Sequence, residues 1–168
     1  MSHQESSRLE RIAQILSAAG VRFIVIGGQA EYLFGSPRVT YDVDLCYLRT
    51  KENLERLASA LAQLNVTLRG APADVPYKLD VRALSMGLNF TLNTSQGDLD
   101  LLGYVEPLGD FARLDIHATD IALEDLLLRV ISLDDLIKIK QHINRPKDRD
   151  SLFQLLAIKR LREETGQS

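Results

Sequence analysis

A single cysteine, Cys46, stands in the 168-residue chain. One thiol closes no internal disulfide and builds no thiolate metal cluster, and it fits a reducing compartment; a cytoplasmic location is the expectation. The three histidines, His3, His117 and His142, are scattered, which argues against a histidine-based zinc site. No uninterrupted apolar run approaches the roughly 18 residues of a membrane span. The opening MSHQESSRLERIAQIL is polar and then amphipathic, unlike the continuous apolar stretch of a signal peptide. Strong basic charge is also missing. The net charge is -3 and the pI is about 5.6, so any nucleic-acid contact must rest on a local patch. Repeats, low-complexity stretches and linkers are absent, as are the GxGxxG and GxxxxGK[ST] patterns of the common dinucleotide and phosphate loops.

Hydrophobic residues make up 45% of the chain and charged residues 26%, the balance of a soluble globular protein. The length suits one domain over residues 1–168, with C-terminal helices from about residue 132. Leu9, Ile12, Ala13, Ile15, Leu16 and Ala19 form a helical stripe over 5–19, stopped by Gly20. VRFIVI, residues 21–26, reads as a buried strand. Gly27-Gly28 breaks it, a short helix follows over 29–34, and Gly35-Ser36-Pro37 turns the chain. A second strand is expected over 41–48 and an amphipathic helix over 51–63. Further strands are expected over 65–68, 88–92, 99–102, 116–123 and 127–131, with a loop over 70–76 and 80–86 undecided between helix and strand. Ser132 caps a helix over 133–142, and a last helix runs from 148 to 162 beyond Pro146. These elements predict an α+β (α/β mixed sheet) domain, a central mixed sheet flanked by helices.

The chemistry concentrates in residues 21–48. Asp42 and Asp44 alternate with Val43 and Leu45, so both carboxylates share one strand face, roughly 7 Å apart. From there each reaches toward a pair of metals spaced about 4 Å, and magnesium favours such hard oxygen ligands. QGDLDLLG supplies a second alternating pair, Asp98 and Asp100. Asp100 precedes Leu101-Leu102 within a strand and is the better third ligand, whereas Asp98 adjoins the turn at Gly97. The plain alternative is a set of solvated surface acids, although acids are disfavoured in strand interiors. Gly27-Gly28 reads either as a tight strand-to-helix turn or as a cradle whose freed amides hold a phosphate.

IGG at Ile26–Gly28, DVD at Asp42–Asp44 and DLL at Asp100–Leu102 resemble the nucleotidyltransferase superfamily, the group with a polymerase-β-like core. The form GGQAEYLFGSPRVTYDVDL is similar to its small stand-alone bacterial members and to AbiEii-type toxins. Ser132–Leu156 resembles their closing helices, matching a helix lysine at Lys140 and an Arg-x-Lys-Asp element at Arg145–Asp148. The likeness covers about residues 20–158. It implies a nucleotidyltransferase-like fold, two Mg2+ ions held by Asp42, Asp44 and Asp100, and an NTP whose phosphates lie over Gly27-Gly28. It also implies that Asp100 activates an acceptor hydroxyl or helps hold the metal that does. The acceptor stays open among RNA, protein and a small molecule. Departures are the absence of a serine at Gly28, which leaves Gln29 as the polar group of the turn, and the close spacing of Asp148 and Asp150.

Other residues carry two readings each. Lys140 either reaches a triphosphate or lies on a solvated helix face. Arg38 and Thr40 either touch the γ-phosphate or serve the turn. The cluster Arg145, Lys147 and Arg149 with Asp148 and Asp150 is either a salt-bridged loop or an anchor for phosphate. Cys46 shares the parity of the acids without a histidine to make it a nucleophile, and Tyr32 and Phe34 read as packing. Two function classes remain: a Mg2+-dependent transferase of nucleoside monophosphates, and a catalytically weak nucleotide-binding or toxin/antitoxin-type regulatory protein.

Overall fold

The computed structural model describes residues 7–37, 40–72 and 78–166. Arg38 and part of the expected loop over 70–76 lie outside them. The chain runs α1 (Arg8–Ala18), β1 (Phe23–Ile26), α2 (Gly27–Leu33), β2 (Val43–Tyr47), α3 (Lys51–Gln63), β3 (Thr67–Leu68), α4 (Val81–Met86), β4 (Asn89–Thr94) and β5 (Gly97–Leu102). It continues through β6 (Tyr104–Val105), β7 (Gly109–Asp110), α5 (Phe111–Asp115), β8 (Thr119–Leu123), β9 (Leu126–Val130), α6 (Leu133–Ile143), a 3₁₀ turn (Pro146–Asp148) and α7 (Arg149–Glu164).

Side-chain caps set most helix starts. Ser7, Thr50, Asp80, Asp110 and Ser132 each accept a hydrogen bond from the backbone N–H three residues on, satisfying a donor the helix leaves free. Asp80 settles the ambiguous 80–86 segment as helix. α6 stops where Asn144 turns left-handed at φ 47°.

Seven strands form one mixed sheet in the order β3-β4-β5-β2-β1-β9-β8, and β6 and β7 make a separate hairpin. β1 pairs antiparallel with β2 and parallel with β9, while β2 pairs parallel with β5. All four residues of β1 are buried, so its two side-chain faces are both covered. α1 packs on α3 and α3 on α4; α6 packs on α2 and α7. Among the described residues no helix is long and apolar enough to cross a membrane.

Several expected boundaries move. α2 begins on Gly27 itself, not after the glycines. β2 spans 43–47 and excludes Asp42. β3 shrinks to two residues. The strand expected over 116–123 begins only at Thr119, because Asp110 caps a short helix, α5, that buries Phe111 and Leu114. The β6–β7 hairpin carries no alternation long enough to announce it.

Candidate active site

β2 and β5 pair in a register that sets Asp44 directly beside Asp100 and Val43 beside Leu99. On its other side β2 pairs Asp44 with Ile26, the last residue of β1. In-register neighbours on adjacent strands point to the same face of the sheet, which sets the two carboxyls side by side. Burial, then the charge of Asp100, then that of Asp42 push the Asp44 carboxyl up to about 7, with Lys140 pulling the other way. Two acids this close cannot both hold a full charge without a counter-ion.

Asp42 stands apart. It is exposed and precedes the strand. Gly27 turns into the left-handed region at φ 65° and leaves the sheet, so β1 has no residue to pair with the chain at Asp42. Gln29, largely buried, donates its side-chain amide to the carbonyls of Thr40 at 3.5 Å and Asp42 at 3.3 Å, tying the approach to β2 against α2. The structure thus brings together two of the three expected acids and leaves the third at the mouth. Among the described residues, no group of three or more His, Cys, Asp and Glu side chains is gathered to hold a metal ion as it stands.

The glycine pair makes the room. A β-carbon on Gly27 would overlap Asp44 Oδ2, and one on Gly28 would lie 2.7 Å from Thr40 Oγ1. Gly27→Ala is therefore expected to cost about 1–3 kcal/mol from its positive φ alone and to displace Asp44. Thermal melts of the variant check the first effect, and nucleotide titration checks the second.

Gly27, Gly28, Asp44, Asp100, Lys140 and Arg145 line a cleft of about 770 Å³, larger than the other described cavities. Lys140 enters from α6 with only 11% of its side chain exposed. Its Nζ lies 3.3 Å from Asp148 Oδ1 and 3.6 Å from Glu31 Oε1, and both acids are almost fully buried. Arg145 Nε donates to Asp148 Oδ2 at 2.6 Å. Lys140 is thus neither on a solvated face nor free; it neutralises two buried acids. Glu31, placed in α2 between Ala30 and Tyr32, gave no sign of this in the sequence.

Burial tends to raise the Asp148 carboxyl, but the Arg145 hydrogen bond and the Lys140 charge outweigh it and hold the group below its ordinary 3.8. A carboxylate depressed in the folded state contributes stability that is complete above its unfolded pKa and lost as pH falls through the folded one. Urea midpoints are accordingly expected to drop below about pH 3.8, and Asp148→Asn to flatten that part of the curve.

The remaining expectations fall as follows. Asp98 is 43% exposed on its side chain and sits 3.6 Å from Arg69 Nε. Cys46 is fully buried; burial and then the charge of Asp110 push its thiol up to about 12, which leaves it unreactive. Phe34 is buried beneath the Arg162 guanidinium, whereas Tyr32 is exposed and is not a packing residue. Lys147, Arg149 and Asp150 are exposed.

No protein-family model matches the chain, and no curated protein matches its sequence. Solved structures do match. A lincosamide antibiotic adenylyltransferase, LnuA, in its lincomycin-bound form superimposes with a TM-score of 0.60 at 15% identity, over 90% of this chain and 96% of that one. A putative nucleotidyltransferase from Thermotoga maritima gives 0.55 at 15% identity, over 94% and 99%. The antibiotic-resistance enzyme ANT(2")-Ia in complex with adenylyl-2"-tobramycin gives 0.56 at 13% identity, over 93% of each chain. At these identities the likeness defines the fold: a nucleotidyltransferase-like mixed sheet flanked by helices.

Proposed function

We propose that this chain is a nucleotidyltransferase that moves a nucleoside monophosphate from an NTP to a hydroxyl acceptor, using Asp42, Asp44 and Asp100. The observation that carries the reading is the Asp44–Asp100 pair, two carboxyls in register on adjacent parallel strands beside two glycines in the largest described cleft. The donor set fits magnesium: the ligands are hard oxygens, and burial with mutual repulsion leaves Asp44 short of a counter-charge. Asp44 and Asp100 would hold Mg2+, with Asp42 joining from the strand mouth, and two ions are the expected number. Bound there, the metal would neutralise phosphate charge and favour ionisation of the acceptor hydroxyl.

The chain's own residues do the rest. The missing β-carbons of Gly27 and Gly28 leave room for the Asp44 carboxyl and the Thr40 hydroxyl, and the cleft beside them would take the triphosphate. Lys140 and Arg145 line the cleft, their charge shared with Glu31 and Asp148. Arg38, placed by the sequence just ahead of the acidic strand, would act with Thr40 at the phosphate tail. Asp100 takes the acceptor proton as the oxygen bonds to the α-phosphorus and pyrophosphate departs with the broken bond's electrons.

A small hydroxyl compound is the acceptor class we favour. A lincomycin-bound adenylyltransferase and a protein in complex with adenylyl-2"-tobramycin are matched over 96% and 93% of their length, which supports a small acceptor. The second reading is a weak nucleotide binder of the AbiEii-like, toxin/antitoxin type. It draws on the exposed position of Asp42 and on Lys140 being committed to Glu31 and Asp148.

One experiment separates them. The protein is incubated with Mg2+ and α-labelled NTPs, then with a panel of polyhydroxylated small molecules, total RNA and lysate protein, and ATP binding is followed by calorimetry. Label on a small molecule supports the first reading; nucleotide binding with no transfer supports the second; absence of nucleotide binding removes both.

A further inference from the structure

We propose that Arg69 is a resident counter-cation for Asp100, and that it sets how tightly the acid pair takes a divalent cation. The inference rests on the nucleotidyl-transfer reading and assigns a residue that the family resemblance does not touch.

Arg69 follows β3, the short strand at one edge of the sheet. Its backbone N–H donates to the Thr91 carbonyl at 3.0 Å, which fixes the residue against β4. From there Nη2 donates to the Leu92 carbonyl at 3.0 Å and to Asp100 Oδ1 at 2.8 Å, while Nε lies 3.6 Å from Asp98 Oδ2. The strand order β3-β4-β5-β2 puts Arg69 on one side of Asp100 and Asp44 on the other. Asp100 therefore sits between a guanidinium and the carboxyl with which it would share a metal.

A guanidinium keeps its charge at every working pH. It supplies to Asp100 part of what a divalent ion would supply, and it repels such an ion across a few ångströms. Partial burial matters here: the Arg69 and Asp100 side chains are 35% and 28% exposed, so the charge is screened less than on an open surface. Lys140 differs, because the acids within ion-pair distance of it are Glu31 and Asp148 and its charge reaches the acid pair only from further off. A bare divalent cation thus meets a site whose negative charge is already reduced. A cation that arrives with a triphosphate brings its own negative charge and meets a smaller penalty. Arg69 in this way favours the metal–nucleotide complex over the free ion.

The test is Mn2+ binding in the absence of nucleotide, read from the paramagnetic resonance of the free ion, for the full chain, Arg69→Gln and Arg69→Lys. Removing one unit charge near a divalent ion is expected to tighten Mn2+ binding by about tenfold in Arg69→Gln. Arg69→Lys, which keeps the charge, is expected to bind like the wild type. With Mn2+ and ATP together, the gain of Arg69→Gln is expected to be smaller. A merely structural arginine gives no gain in affinity when removed. Unchanged or weaker Mn2+ binding by Arg69→Gln overturns the proposal.

Should that variant not fold, the wild type decides. The guanidinium ¹⁵N resonances of Arg69 are expected to shift as Mg2+ saturates the site, and their constancy while the Asp44 and Asp100 amides move would overturn the inference. Wild-type protein that binds Mn2+ neither alone nor with ATP would remove the nucleotidyl-transfer reading and this inference with it. Normal wild-type binding that ignores Arg69 removes this inference alone.

Discussion

Asp44→Asn is expected to lower nucleotidyl transfer by about 10²–10³-fold, the usual effect of deleting one group that stabilises transition-state charge, while the thermal midpoint holds or rises. The two outcomes have the same source. Asp44 is half-buried and its carboxyl is pushed up to about 7, so folding gains little from this acid and is opposed by the repulsion from Asp100. An amide has the same shape, can donate to the Asp100 carboxylate beside it and carries no charge to desolvate. Asp100→Asn is expected to behave alike in transfer. Asp42→Asn should cost less, since that side chain is exposed and outside β2. Transfer assays beside calorimetric melts check all three. A loss of under about tenfold for Asp44→Asn would remove it from the reaction.

The largest stability effect is expected from Lys140→Met, at about 3–5 kcal/mol, the range for breaking a buried ion pair by deleting one partner. Two almost fully buried carboxylates would lose their shared cation. Asp148 retains Arg145, but Glu31 Oε1 already lacks a hydrogen-bond partner and would become an uncompensated buried charge. Glu31→Gln in the same chain should recover much of the loss. Urea titration measures this, and a cost of under about 1 kcal/mol, the scale of an exposed pair, would sink it. The double variant also separates roles: if stability returns and ATP affinity stays low, Lys140 contacts the phosphates as well as the two acids.

How far the sequence leads depends on the distance over which each signal acts. Asp44 and Asp100 were legible because a strand writes its two faces in alternating letters and both acids interrupt apolar runs. The glycine turn was legible because few residues accept the φ of Gly27. Asp42 shares the parity of Asp44, yet parity holds only while the strand has partners, and β1 departs at Gly27. Arg69 and Glu31 owe their importance to residues that lie far away in the chain, and no local pattern marks them, whereas the Arg145–Asp148 ion pair is the salt-bridged loop that the local cluster offered. α5 was missed because five residues are too few to show a helical period; only its cap, Asp110, hinted at it.

The parallel pairing of β2 with β5 has a kinetic corollary. Antiparallel neighbours such as β4 and β5 meet through a tight turn, but β2 waits for α3, β3, α4 and β4 to be laid down before β5 arrives beside it. Closing so long an excursion is entropically slow. The juxtaposition of the two acids is therefore expected to form later than the β4–β5 hairpin contacts.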